Sequence, residues 1–152
     1  MRSFVLTLLL ATSTCVHSED GSLRGLNPIT VFVEELSVAT TKCGITVDSI
    51  RRAAAGPLSQ SRLQTADSPT AIKAYLYVQV NMLALQDTCV GNIYASFRTV
   101  ALIQSNDRPA IAGVWNENVL GAAWPEDAPH KISGGVETLT KKFIDRWTRD
   151  NP

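Results

Sequence analysis

Residues 29–152 are predicted to fold as a single α+β domain, a two-layer sandwich in which a mainly antiparallel sheet of four or five strands carries two helices on one face. Three observations lead to this reading. Residues 74–85 and 90–103 each alternate apolar and polar side chains, and the link between them is short enough for a hairpin. Ile132, Val136, Leu139, Phe143 and Trp147 recur at intervals of 4, 3, 4 and 4, the stripe of an amphipathic helix. Val47, Ile50, Ala54 and Leu58 form a second, shorter stripe. A helix with one apolar stripe needs a surface to cover it, and one face of a sheet supplies that surface.

The N-terminus reads as an export signal. Arg2 precedes an apolar run, Phe4 to Ala11, which is too short to cross a bilayer, where roughly 20 residues are needed. A polar stretch follows and ends in Val16-His17-Ser18, which places cleavage after Ser18 and assigns residues 1–18 to the signal. Cys15 lies in a loose lipobox, with Thr12 where an aliphatic residue is expected, and is read as discarded with the signal rather than lipidated. Residues 19–28 are polar and rich in Gly and Pro, which predicts a flexible leader.

The elements then follow in order. Ile29 to Ser37 alternates as a first strand, broken by Cys43-Gly44. A helix is expected from Thr46, a good N-cap, with Asp48 suited to the positive end of the helix dipole. It should end or kink at Gly56, because Pro57 disfavours an α conformation in the residue before it. A short strand is expected near residues 62–65, followed by a turn at Asp67-Ser68-Pro69. In the run 74–85, Leu76, Val78, Val80 and Met82 share one face, and Tyr75, Tyr77, Gln79 and Asn81 share the other. In the run 90–103, Ile93, Ala95 and Phe97 oppose Asn92, Tyr94, Ser96 and Arg98. A further strand covers about residues 110–117, without a clear inward parity, and 118–124 is read as a short strand pairing back within a loop-like region. The last helix spans about residues 129–150. Gly134-Gly135 weakens its first turns by about 1 kcal/mol per glycine, so a start after them is also open.

Charge narrows the function classes. The chain has 14 basic and 14 acidic residues; loss of the signal removes Arg2 and no acid, leaving 13 against 14, a net charge of −1. That balance supplies neither a nucleic-acid footprint nor a polybasic membrane anchor, and no second apolar run reaches membrane-spanning length. Cys43 and Cys89 are left as a pair in an oxidising compartment, where a bridge is expected. Their wide spacing does not fit a redox-active Cys-x-x-Cys pair.

No catalytic residue, metal ligand or cofactor is assigned. After cleavage His130 is the remaining histidine, and with Glu126 and Asp127 it is the only grouping open to ion binding or hydrolytic chemistry. A plainer account is that these acids flank a helix start. No Gly-x-Ser-x-Gly elbow or phosphate-binding glycine loop is present. Tyr75, Tyr77 and Tyr94 all fall on the polar parity of the two central strands, beside Arg98. Tyrosine next to arginine on an open sheet face is typical of a binding surface, so these four residues are the candidate site. Trp124, beside Pro125, is a second candidate. The reading is an exported, non-enzymatic interaction module of the bacterial periplasm or envelope with an unknown protein or envelope partner. A carboxylate/His-dependent hydrolase and a small-ligand carrier are the alternatives. No motif matches a family; the layout alone is similar to small accessory domains of bacterial envelope proteins, and layout transfers no residue.

Overall fold

The computed structural model describes residues 21–66 and 74–152. The expected signal, Cys15 and the turn at 67–69 lie outside the described residues. The chain runs β1 (Thr30–Val33), α1 (Val38–Lys42), α2 (Val47–Ser59), β2 (Ala74–Ala84), β3 (Cys89–Ile103), β4 (Arg108–Ala123) and α3 (Ala128–Asp150). The strands form one sheet in the order β1-β2-β3-β4. β1 pairs parallel to β2, because a helical crossover joins them, whereas the directly linked pairs β2/β3 and β3/β4 are antiparallel. The α+β sandwich is therefore present, with a four-stranded mixed sheet and three helices among the described residues.

The core lies on one face of this sheet. Leu76, Val78, Val80 and Met82 of β2 and Ile93, Ala95 and Phe97 of β3 are all buried, as are Ile50, Ala54 and Leu58 of α2. The α3 stripe is buried throughout, and Phe143 stacks on Phe97 at 4.8 Å between ring centroids and tilts against Trp115 at 5.4 Å. Such pairs add roughly 0.5–1.5 kcal/mol beyond the area they bury.

Local chemistry explains where the elements depart from expectation. β1 stops at Val33 rather than Ser37, because Ser37 caps α1, its hydroxyl accepting from the Thr40 N–H at 3.2 Å. Thr40 then replaces the missing strand. Its buried hydroxyl donates to the Val80 carbonyl at 3.4 Å and accepts from the Met82 N–H at 3.1 Å, so the edge of β2 stays satisfied beyond β1. Helix α2 begins at its expected cap, where Thr46 and Ser49 form a reciprocal capping box. It does not break at Gly56 but runs to Ser59 with Pro57 inside. Gly56 has no Cβ to meet the proline ring, and fully buried Leu58 holds the last turn on the core.

Residues 62–65 make only an isolated bridge, Ile29 to Thr65, instead of a strand. Residues 118–123 continue β4 rather than pairing back. A bulge explains the obscured parity: Phe97 faces Trp115 but Arg98 faces Gly113, so Val114 is the extra residue and the inward phase changes there. Helix α3 starts before its glycine pair, at Ala128. Gly135 is imposed by close packing, since a Cβ there would lie 2.4 Å from Cδ1 of Ile93.

The leader is docked from Gly21 onward rather than flexible. Leu23 is fully buried, and its N–H donates to the Asp150 carboxylate at 3.0 Å. Asn151 accepts from the Gly25 N–H at 2.8 Å and donates to the Leu23 carbonyl at 3.0 Å, while the Trp147 indole donates to the Leu26 carbonyl at 3.0 Å. The end of α3 thus reads the leader backbone through three side chains. Burial alone would raise the Asp150 pKa, but the backbone N–H bonds from Leu23 and Gly21, together with Arg146, hold it below 3.8.

Cys43 caps α1 rather than ending the first strand, and it is bridged to Cys89 at the start of β3, with Cα atoms 6.1 Å apart. The bridge ties the α1–α2 junction to a sheet corner across a sequence separation of 46. A loop of that size limits the unfolded chain by ~4 kcal/mol in the chain-entropy account.

Two outcomes are expected. Cys43→Ser or Cys89→Ser should lower stability by ~2–4 kcal/mol in denaturant titration, with linked peptides in a non-reducing digest of the unmodified protein; free thiols at both positions would contradict the bridge. Asp150→Ala should cost ~3 kcal/mol by leaving a buried N–H and Arg146 without the carboxylate. A carboxylate with a lowered native pKa gives its full contribution above the unfolded value and loses it as pH falls through the native one. The gap between the two proteins should therefore be constant near neutrality and shrink below pH 3.8.

Candidate functional site: the outer face of the sheet

Because α2 and α3 cover the Leu76/Phe97 side, every second residue of the strands is left on the opposite side. The register assembles that side row by row. Thr30, Tyr75 and Arg98 form one cross-strand row, and Phe32, Tyr77, Ser96 and Asn116 form the next. Gln79, Tyr94 and Asn118 follow. Tyr75, Tyr77, Tyr94 and Arg98 are therefore brought to one face.

The four residues are not equally accessible. Tyr75, Tyr94 and Arg98 are half-buried, but Tyr77 retains only 8% exposure. Among the described residues, its own sheet neighbours cover it. Phe32 stacks on it with ring centroids 6.0 Å apart and planes 9° from parallel. The Arg98 guanidinium sits 3.6 Å from the ring centroid, a cation–π contact, and Tyr94 meets it edge-on at 6.4 Å. The Tyr77 hydroxyl donates to the Glu34 carboxylate. Burial, reinforced by Glu34, raises the phenol pKa above 10.0 despite the opposing effect of Arg98, so Tyr77 stays neutral as a donor. Tyr77 is thus the hub that orders the others, and the expectation that it stands open to solvent is corrected.

What the face exposes is Phe32, at 48%, together with the outer parts of Tyr75, Tyr94 and Arg98. Phe32 also meets Tyr75 edge-on at 6.1 Å. Reading the sequence did not connect Phe32 and Glu34 with the tyrosines. The available signal was parity, since Phe32 and Glu34 oppose Val31 and Val33; what was missing was the pairing of β1 with β2. The same face continues onto the β3–β4 hairpin, where Val100, Leu102 and Ile111 are exposed.

The other candidate residues are not gathered. Glu126, Asp127 and His130 are all exposed, and among the described residues no group of three or more His, Cys, Asp or Glu is placed to hold a metal ion. Trp124 is exposed beside them in the turn before α3. Among the described residues, no helix is long and apolar enough to cross a membrane.

No known family model matches the chain, and no curated protein matches it in sequence. Solved structures with a similar course of the chain include a dodecameric PelC variant from Paraburkholderia phytofirmans, with 16% identity and a TM-score of 0.47, covering 82% of this chain and 89% of that one. A minor lipoprotein from Acinetobacter baumannii has 8% identity and a TM-score of 0.43, covering 80% of this chain and 91% of that one.

Proposed function

We propose that this is an exported protein of the bacterial periplasm or envelope that binds a protein partner through the outer face of its sheet, without catalysis. The observation that carries the reading is the pre-ordered cluster of Phe32, Tyr75, Tyr94 and Arg98 around the buried Tyr77 hub. Aromatic and arginine side chains dominate binding energy at interfaces. Here their rotamers are already fixed by mutual contact, so little side-chain entropy is lost when a partner arrives. The export signal and the Cys43–Cys89 bridge support an oxidising compartment. Near-neutral charge favours contact by shape and aromatic packing over electrostatic capture.

The test is site-resolved crosslinking in the native envelope. A photo-crosslinker at Tyr75 should trap a discrete partner that is absent when the same group replaces Glu137 or Lys141 on the exposed side of α3. Tyr94→Ser with Arg98→Ala should cut that yield at least tenfold and leave the melting temperature within a few degrees. Tyr77→Phe keeps the ring and should retain capture. Equal trapping from both surfaces, or a yield indifferent to Tyr94 and Arg98, would overturn the reading.

A further inference from the structure

On the opposite side of the sheet, and independent of the tyrosine face, a cavity of about 290 Å³ lies between the end of the β2–β4 sheet and the first turns of α3. Met82, Ile93, Val119 and Ile132 form apolar walls, and Lys131 is the one charged residue on its lining. Met82 and Ile93 are buried and form the floor, whereas Gly121 and Lys131 are exposed and mark the mouth.

The glycines around this space differ in what requires them. Gly91 is imposed by packing, because a Cβ there would meet the Asn81 carbonyl oxygen at 1.9 Å. Gly135 is imposed by Ile93. Gly121, across the β3–β4 ladder from Gly91, is imposed by neither packing nor conformation: its φ is not positive and a Cβ would meet nothing within 4 Å. A glycine inside a strand weakens it and often marks a place where something else approaches the backbone. The missing side chain at Gly121 leaves open an apolar space that a β-branched residue would fill.

We propose that this cavity binds the alkyl chain of a single-chain carboxylate, a short or medium fatty acid, with its head group paired to Lys131. The lining is apolar apart from that one cation, which matches an apolar tail ending in one negative charge. At roughly 30 Å³ for a water-sized group, the space takes about nine or ten such groups, one short chain rather than the two chains of a phospholipid. Among apolar sites of this kind, orientation comes from a small number of polar groups at the rim, the position Lys131 holds.

Titration calorimetry on the purified, disulfide-bonded protein with hexanoate, octanoate and decanoate tests this. Affinity should rise roughly fourfold per methylene until the cavity is full. Gly121→Leu, whose Cβ would meet nothing within 4 Å, should abolish decanoate binding with the fold retained, and Gly121→Val serves the same purpose should leucine disturb folding. Lys131→Met should weaken decanoate roughly two- to fivefold and leave decanol unchanged. Absence of saturable decanoate binding, or equal binding by the Gly121 variants, would overturn the cavity assignment. Equal losses of decanoate and decanol in Lys131→Met would overturn the carboxylate assignment. Binding of phospholipid vesicles with no binding of monomeric decanoate would also count against it.

Discussion

The seating of Phe143 against the cross-strand pair Phe97 and Trp115 marks which side of the sheet is the core. It commits α3 to one face of the sheet, and a strand's alternation then commits the remaining side chains to the other. The inner face becomes the core, where Gly135 must lack a side chain to admit Ile93. Among the described residues no helix covers the outer face, and its large side chains shield one another. Tyr77 shows how far this goes: a tyrosine on the uncovered side is nonetheless buried, because Phe32, Arg98, Tyr94 and Glu34 close around it. Order on that face comes from mutual contact among side chains, which differs from a merely solvated sheet.

Two tethers keep the halves of the chain in register. At one corner the Cys43–Cys89 bridge and the buried Thr40 hydroxyl secure the helical crossover to β2 and β3 where β1 is too short to do so. Elsewhere, Asp150, Asn151 and Trp147 hold residues 21–26 against the end of α3. The second tether makes the leader part of the fold. Leu23 contributes to the core as fully as any strand residue, and the buried Asp150 is tolerated because backbone N–H groups and Arg146 replace its water.

The strong periodic signals were legible without coordinates. β2, β3 and α3 follow directly from alternation and a helical stripe, and Thr46 identifies the start of α2. The cysteine pair was legible because only one intramolecular pairing exists. What was hidden depended on tertiary partners. The Val114 bulge shifts the phase of β4, so no single parity describes that strand. Gly56 lets Pro57 stand inside α2, which a rule about the residue before proline does not foresee. The leader looked loose because its composition is polar and glycine-rich, yet its partners at the end of α3 are 121 to 128 residues away in sequence. For the site, parity placed Tyr75, Tyr77, Tyr94 and Arg98 together. It could not show that β1 adds Phe32 and Glu34, which convert Tyr77 from a contact residue into a buried support.

Hydroxyl-radical footprinting of the native protein, read residue by residue by mass spectrometry, tests the central division of the sheet most directly. Phe32, Tyr75 and Tyr94 should be oxidised in the folded state while Phe97, Phe143 and Trp115 are protected, with Tyr77 close to the protected group. Protection of Phe32, Tyr75 and Tyr94 together with oxidation of Phe97 and Phe143 would mean that the helices cover the other side, and the account would fail.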